Sequence, residues 1–295
     1  MINALEFNAI SKNYKDTKAL SDINLKLQEN KIYGLIGRNG AGKSTLLKIA
    51  SAQTFSDNGD VKIYGIDPNK NEETIKKLCF IRDTGVYPKD FKVKDILNFA
   101  ALMYPNWDGK FAEDLIRIFE LDVKKRYKAL SRGMESIVGI IIGLASRAPI
   151  TIFDEPHLGL DAVARQTFYD ILIEDYSNNP RTIIISTHLI DEVSKIFERV
   201  IMIDKGRILM EEDVDELRGK AFYISGNSKV IDEISHNKRV IHKEEMGSVK
   251  SIGVFDKLGD EEIRIMKEKE IKVTSMSLQY LFVYLTNTRQ RGDLE

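Results

Sequence analysis

Residues 37–45 read Gly-Arg-Asn-Gly-Ala-Gly-Lys-Ser-Thr, a glycine-rich segment that ends in a lysine and two hydroxyl residues. It matches the phosphate-binding loop pattern G-x-x-x-x-G-K-[ST] through Gly37, Gly42, Lys43 and Ser44. Glycines permit a tight turn in which successive backbone N–H groups point at one anion. The lysine adds a positive charge for the β- and γ-phosphates, and the serine hydroxyl can ligate Mg²⁺. The pattern therefore predicts a nucleotide phosphate site.

The residues on either side supply the context that this motif needs. Ile32–Ile36 is an apolar run typical of a buried strand, and residues 46–50 continue as a helix. The N-terminus of that helix would face the phosphates, where the helix dipole favours negative charge. This strand, loop and helix order favours a phosphate site over a plain glycine-rich turn.

The composition bounds the class of protein. The 295 residues allow one large domain or two smaller ones, and 43% hydrophobic residues can form a substantial core. With 44 basic and 45 acidic residues, the net charge of −1 gives no support for a nucleic-acid partner. The single cysteine, Cys79, excludes an internal disulfide and fits a reducing cytoplasm. We find no signal peptide and no run of about 20 apolar residues, so any membrane role is expected to act through another polypeptide.

Apolar strand patterns alternate with helical patterns along most of the chain. The near-continuous apolar runs Ile150–Phe153 and Thr182–Ser186 predict a mostly parallel sheet covered by helices, an α/β fold. Short strands are expected before residue 30, and a helical subdomain at about 88–147. We place a boundary between a first domain, 1–218, and a small C-terminal α/β domain, 219–295.

The apolar strand that begins at Ile150 ends in two carboxylates, Asp154 and Glu155. Such a strand can deliver an aspartate to a Mg²⁺ ion opposite a phosphate loop, and the following glutamate can polarise an attacking water. Strands often end in solvated acids, so the pair alone is moderate evidence. Its position after a phosphate loop in an α/β chain favours the catalytic interpretation.

With these motifs, residues 1 to about 215 resemble the ATP-binding cassette (ABC) ATPases, because several motifs occur in the order found in that family. The family's signature, usually L-S-G-G-Q, corresponds to Leu-Ser-Arg-Gly-Met at 130–134. Its remaining motifs match Asp-Glu-Pro at 154–156, Gly-Leu-Asp at 159–161, Ser-Thr-His at 186–188 and the adenine-stacking aromatic at Tyr14. Tyr14 is alternatively a surface aromatic in a turn. The implied fold is a P-loop NTPase with an N-terminal antiparallel β part and a helical subdomain.

The resemblance also implies ATP and Mg²⁺ as cofactors, and a head-to-tail pair of cassettes that traps ATP between them. It makes Glu155 the general base and His188 the contact to the γ-phosphate, and assigns the metal to Ser44, Asp154 and Asp83. Ser131 and Gly133 would contact the nucleotide of the partner cassette. The full set expected to bind nucleotide is Tyr14, Gly37, Asn39, Gly40, Gly42, Lys43, Ser44, Thr45, Ser131, Gly133 and Asp161.

Three positions depart from the family pattern: Asp83, Arg132 and Met134, the last of which replaces the glutamine of the signature. Asp83 stands where most members carry a glutamine that touches the metal and links the site to the membrane subunit, and it adds a negative charge. Arg132 replaces a glycine of the signature, where it would either approach the partner's phosphates or face solvent, and solvent is favoured.

Residues 104–108 (Tyr-Pro-Asn-Trp-Asp) and 131–134 narrow the resemblance to a bacterial exporter branch. This branch includes phenol-soluble-modulin and antimicrobial-peptide exporters of Gram-positive bacteria. It implies an ATPase subunit at the cytoplasmic face of the membrane, paired with an identical or different ABC subunit. That pair would power export of a peptide or other amphipathic substrate through a membrane-spanning subunit.

Two other functions stay open from the sequence. The first is a soluble ABC-type ATPase acting on ribosomes or nucleic acid, which the single cassette and near-neutral charge disfavour. The second is a weakly hydrolysing nucleotide-dependent regulator, which Asp83 permits but Glu155 and His188 oppose. The C-terminal domain carries no convincing catalytic cluster and is expected to be accessory.

Overall fold

The computed structural model describes residues 2–82 and 87–292, with the backbone only for 288–292. The chain divides into two compact units. The first comprises Met1–His188 and Ile196–Glu211, and the second comprises Leu189–Lys195 and Glu212–Glu295. The boundary predicted at residues 218 and 219 lies inside the second of these units.

The first unit contains strands and helices in alternation. In chain order they are β1 (Asn3–Tyr14), β2 (Thr17–Gln28), β3 (Ile32–Ile36), α1 (Lys43–Ala50), β4 (Asn58–Ile63), α2 (Glu72–Ile75), β5 (Leu78–Ile81), α3 (Val93–Met103), α4 (Gly109–Ile118), α5 (Arg132–Ala145), β6 (Ile150–Asp154), α6 (Ala162–Asn178) and β7 (Thr182–Thr187). After α7 (Ile190–Val193), which belongs to the second unit, follow β8 (Arg199–Asp204) and β9 (Arg207–Asp213).

Two sheets form this unit. Strands β2, β1 and β4 make an antiparallel sheet in that order, as expected for the N-terminal part. The second sheet has six strands in the order β5-β6-β7-β3-β8-β9, and the pairs among β5, β6, β7, β3 and β8 are parallel. Every residue of β3, β6 and β7 is buried, because helices cover both faces of a parallel sheet. The predicted α/β class is therefore confirmed.

The strand order positions the site. Since β3, β6 and β7 are adjacent and parallel, their carboxyl ends meet at one edge of the sheet. The phosphate loop follows β3, Glu155 follows β6 and His188 follows β7. Three motifs that are far apart in the sequence are thereby brought together.

Helix α5 packs unusually close to the sheet because it carries glycines on its buried face. A Cβ atom added to Gly143 would lie 2.4 Å from the Phe153 ring, and one added to Gly139 would lie 2.7 Å from Ile81. Phe153 is fully buried and immediately precedes Asp154. The small residues of α5 thus let it support the strand that carries the carboxylates.

An ion network joins α4, α5 and α6. Arg147 pairs with Asp108 at 3.0 Å and with Asp175, and Arg181 lies 2.8 Å from Asp175. Asp175 and Arg181 are both buried. Asp108 also caps α4 by accepting a hydrogen bond from the Phe111 backbone N–H, and this bond, with Arg147, lowers the pKa of its carboxyl.

The second unit is a small α/β structure. Besides α7 it contains α8 (Val214–Arg218), β10 (Ala221–Asn227), α9 (Ser228–Ser235), β11 (Val240–Met246), β12 (Val249–Phe255), α10 (Asp260–Glu268), β13 (Lys272–Ser275) and α11 (Leu278–Gly292). Its antiparallel sheet has the order β11-β12-β10-β13. Within the described part of the whole chain, no helix is both long enough and apolar enough to span a bilayer.

Candidate active site

The phosphate loop turns tightly between β3 and the start of α1. Gly40 and Gly42 have φ angles of 80° and 109°, in the left-handed region that favours glycine. A Cβ on Gly42 would also lie only 2.7 Å from the carbonyl oxygen of Ala19. Helix α1 begins at Lys43, so its N-terminus points to the loop and favours bound anions.

A cavity of about 560 Å³ opens beside this loop. Its volume is in the range of ligand pockets in proteins. Among the residues predicted to act in catalysis or binding, those that line it are Asn39, Gly40, Gly42, Lys43, Ser44, Thr45, Glu155 and His188. The structure therefore brings together the phosphate loop, the candidate base and the candidate γ-phosphate contact.

The Glu155 carboxylate contacts both Lys43 and His188 in this cavity. The ammonium of Lys43 is buried, donates to the carbonyl oxygen of Gly37 at 2.7 Å and lies 3.3 Å from Glu155 Oε1. Nδ1 of His188 lies 2.8 Å from Glu155 Oε2. The carboxylate of the candidate base is thus held between a cation and an imidazole.

Ser186 holds the Asp154 carboxylate at the end of β6 and the backbone of Glu155, the next residue. Its hydroxyl donates to Asp154 Oδ1, and its hydroxyl and carbonyl oxygens both accept from the backbone N–H of Glu155 at 3.1 Å. Glu155 has a φ angle of 53°, which a residue with a side chain rarely adopts. Sequence reasoning read Ser186 only as part of a motif and missed this positioning role.

His157 is a second residue that sequence reasoning missed. Its ring is almost fully buried, and its Nε2 atom lies 3.3 Å from Glu155 Oε2. The centroid of the ring is 5.2 Å from that of His188. Its sole sequence signal was its place two residues after the candidate base.

The donor set predicted for Mg²⁺ consists of a hydroxyl and carboxylates, the hard oxygen ligands that this ion prefers. Ser44 lines the cavity, and Asp154 ends β6 with its carboxylate oriented by Ser186. Ser44 and Asp154 therefore fit the ion in chemistry. Asp83 lies outside the described residues.

The signature residues lie at the N-terminus of α5. Ser131 caps this helix by accepting a hydrogen bond from the Met134 backbone N–H at 3.3 Å. A Cβ on Gly133 would be 2.5 Å from the carbonyl oxygen of Gly159, so the two loops pack closely. Neither Ser131 nor Gly133 is among the residues that line the cavity of their own chain. Arg132, expected to face solvent, is exposed and at the same time lines that cavity.

The remaining predicted nucleotide contacts lie outside the lining of the cavity. Tyr14 ends β1 with 46% of its surface exposed, and the Lys12 ammonium is 5.5 Å from its ring centroid. Asp161 caps α6 by accepting from the Ala164 backbone N–H at 2.8 Å. Gly37 contributes its carbonyl oxygen to Lys43. The nucleotide roles of these three residues stay predictions.

The fold and the phosphate loop define the class of protein as a P-loop ATPase. A family described as "ABC transporter" matches residues 20–158. A solved structure described as "Structure of ATP binding subunit of ABC transporter" superimposes with a TM-score of 0.66 at 26% identity, covering 73% of this chain and 92% of that one. The chain therefore contains an ABC ATPase domain and has the fold of ABC ATPase cassettes.

Three curated relatives are also named as ATP-binding proteins of transport systems. The "ABC transporter ATP-binding protein YtrB" of Bacillus subtilis is 24% identical over 214 residues, 72% of this chain and 73% of the relative. The "Bacitracin transport ATP-binding protein BcrA" of Enterococcus faecalis is 28% identical over 72% of this chain and 70% of its own. The "Lantibiotic transport ATP-binding protein SrtF" of Streptococcus pyogenes is 28% identical over 72% and 91%, respectively.

Proposed function

We propose that this chain is the ATP-hydrolysing subunit of an exporter for peptides or other amphipathic substrates. It would act at the cytoplasmic face of the membrane through a separate membrane-spanning subunit that handles the cargo. The observation that carries the hydrolytic part is the contact of Lys43 and His188 with the Glu155 carboxylate beside the phosphate loop.

The geometry supports a direct mechanism of hydrolysis. When ATP binds, the ammonium of Lys43 turns from Glu155 to the β- and γ-phosphates. Glu155 then accepts a proton from a water whose oxygen bonds to the γ-phosphorus, while the bond from that phosphorus to the bridging oxygen of ADP breaks. His188 contacts the γ-phosphate. Ser44 and Asp154 would hold Mg²⁺, which would supply positive charge beside the phosphate oxygens.

A second cassette would complete the site. Ser131 and Gly133 lie at the N-terminus of a 14-residue helix and outside their own cavity, which supports a contact with the nucleotide of a partner subunit. Asp161, at the neighbouring α6 N-terminus, is proposed to lie at the same interface. The pair can consist of two copies of this chain or of two different ABC subunits.

The peptide cargo is supported by the relatives. Two of them are named for transport of bacitracin and of lantibiotics, which are peptide antibiotics, at 28% identity to this chain. We propose cargo of the same class and no nucleic-acid partner. The membrane subunit should copurify from native membranes, and an amphipathic peptide should raise ATP hydrolysis in vesicles that hold both proteins.

Replacing Glu155 by glutamine tests the hydrolytic proposal. The amide keeps the shape but accepts no proton, so turnover should fall by about 100-fold or more, while ATP still binds and holds the dimer. Phosphate release, calorimetry with ATP and light scattering of the ATP-bound dimer measure the three properties. Lys43→Ala is the comparison, because it should weaken nucleotide binding itself. Undiminished turnover in the Glu155→Gln protein would reject Glu155 as the base.

A further inference from the structure

Three side chains beside the phosphate loop present one ligand atom each to a common point. Glu155 Oε2 lies 2.8 Å from His188 Nδ1 and 3.3 Å from His157 Nε2. All three residues offer ligand atoms within 4.8 Å of one another. This cluster, Glu155 with His157 and His188, is the Glu-His-His cluster below.

Two imidazoles and one carboxylate form a donor set for a borderline transition metal. Zinc is bound by such His₂Glu sets, with an open fourth position for water. Tetrahedral ligands about 2.1 Å from zinc are about 3.4 Å apart. The separation of Glu155 Oε2 from His157 Nε2 is 3.3 Å, whereas that from His188 Nδ1 is 2.8 Å and would have to lengthen. Side-chain rotation of His188, which is 41% exposed, can adjust the third separation.

The surroundings hold the cluster in place. The second carboxylate oxygen of Glu155 lies 3.3 Å from the Lys43 ammonium, and the backbone N–H of Glu155 is bonded to Ser186. His157 is held rigidly because its ring is 1% exposed. Outer contacts of this type orient metal ligands in proteins.

We propose that the nucleotide-free chain binds a zinc-type divalent cation at the Glu-His-His cluster. This site differs from that of Mg²⁺, which prefers the oxygen donors of Ser44 and Asp154. A metal there occupies the carboxylate lone pair that accepts the proton of water and holds His188 away from the γ-phosphate. Metal binding therefore opposes hydrolysis, a consequence that rests on the proposed function, whereas the binding itself does not.

Cobalt(II) tests the site, because a tetrahedral cobalt complex with imidazole ligands absorbs visible light strongly. Titration of the nucleotide-free full chain with Co²⁺ should give this absorption with one equivalent bound, and Zn²⁺ should abolish it. His157→Gln and His188→Gln should each weaken binding at least about tenfold, the smallest loss that removal of even an outer-shell partner of a metal ligand typically causes. His236→Gln is the matched control, an exposed histidine outside the cluster, and should bind like the wild type.

The outcomes separate the site from its effect. An absence of tetrahedral absorption in the wild type overturns the site, as does unchanged metal affinity in the folded His188→Gln protein. If the His157→Gln protein does not fold because His157 is buried, the His188→Gln protein still tests the site. Zinc should inhibit wild-type ATP hydrolysis more than that of His157→Gln. Metal binding without inhibition would overturn the effect and the role of Glu155 but keep the site.

Discussion

Glu155 combines a rare backbone conformation with contacts on both carboxylate oxygens. Its φ angle of 53° is held by the hydrogen bonds that its N–H makes to Ser186. Strained backbone of this type persists where surrounding structure enforces it, and it is often found at functional sites. The hydroxyl of Ser186 also donates to Asp154, so one side chain orients both acids.

Ser186→Ala should therefore reduce catalysis more than binding. Without the hydroxyl, Asp154 loses its donor and Glu155 loses one of two acceptors, and we expect kcat to fall about 10- to 100-fold. The KM for ATP should change less, since Ser186 does not line the cavity. Steady-state ATP hydrolysis measures both constants.

The matched control for Ser186 is Ser177→Ala. Its hydroxyl donates to the backbone carbonyl of Ile173 on the exposed side of α6, and its removal should leave kcat unchanged. A kcat of Ser186→Ala equal to that of this control would contradict the positioning role.

The sequence predicts residues that belong to contiguous motifs better than residues that act by contact. The phosphate loop and the carboxylate pair are runs of neighbouring residues, so their chemistry is legible without a fold. His157 and Ser186 act through contacts that depend on the meeting of β6 and β7.

Cys79 is buried in the core, and burial raises the pKa of its thiol to about 11.

At the level of elements, the close packing of α5 on β6 limits the size of the residues on the buried face of the helix. Gly143 faces the ring of Phe153, one residue before Asp154, at a distance that leaves no room for a methyl group. The same helix begins at the signature residues. The position of α5 therefore affects both the strand end at Asp154 and the signature residues.

Gly143→Ala should destabilise the first unit, although alanine favours helices. Overpacking of a fully buried ring costs about 1–3 kcal/mol, which exceeds the helix propensity gain of about 1 kcal/mol. The midpoint of thermal unfolding should fall by a few degrees, at about 2–4 °C per kcal/mol. Calorimetry or circular dichroism measures it.

Gly109→Ala provides the comparison in α4. A Cβ there would meet its nearest atoms, in the Trp107 side chain, at 3.9 Å, an ordinary contact. Its unfolding midpoint should stay the same or rise slightly. If Gly143→Ala behaved like Gly109→Ala, the close packing of α5 would be wrong.

Apolar runs predicted the buried strands well, whereas the N-terminal strands were predicted too short. Strands β1 and β2 are each 12 residues long, but register shifts between Phe7 and Ile10 interrupt their alternation. Ala9, inside this irregularity, has a φ angle of 52°. A β-bulge of this kind moves side chains to the other face and breaks the period that sequence analysis depends on.

At the scale of the whole molecule, the charged residues that matter most for stability are the few that are buried. Most of the acidic and basic groups are exposed, but Asp175 and Arg181 are buried together with Arg147 close by. Arg147 lies 28 residues before Asp175 in the chain and meets Asp175 and the nearby Arg181 only in the fold. Composition alone could not predict this network, because it depends on which charges become buried.

Asp175→Asn should be strongly destabilising. Removing one partner of a buried pair leaves Arg181 uncompensated, at a cost of about 3–5 kcal/mol. Denaturant unfolding of the full chain should show an earlier first transition. Asp114→Asn is the control, since its pair with Arg117 is exposed and contributes little. Equal stability of the two variants would contradict the importance of the buried network.

The ion pair between Lys43 and Glu155 has one more consequence. The Lys43 ammonium lies 3.3 Å from Glu155 Oε1, and in the proposed mechanism this contact keeps the carboxylate from accepting a proton from water before ATP binds. ATP would draw the ammonium to its phosphates and leave the carboxylate able to accept that proton. Substrate binding would thereby activate the proposed base, and a subunit without ATP would be held inactive by its own ion pair.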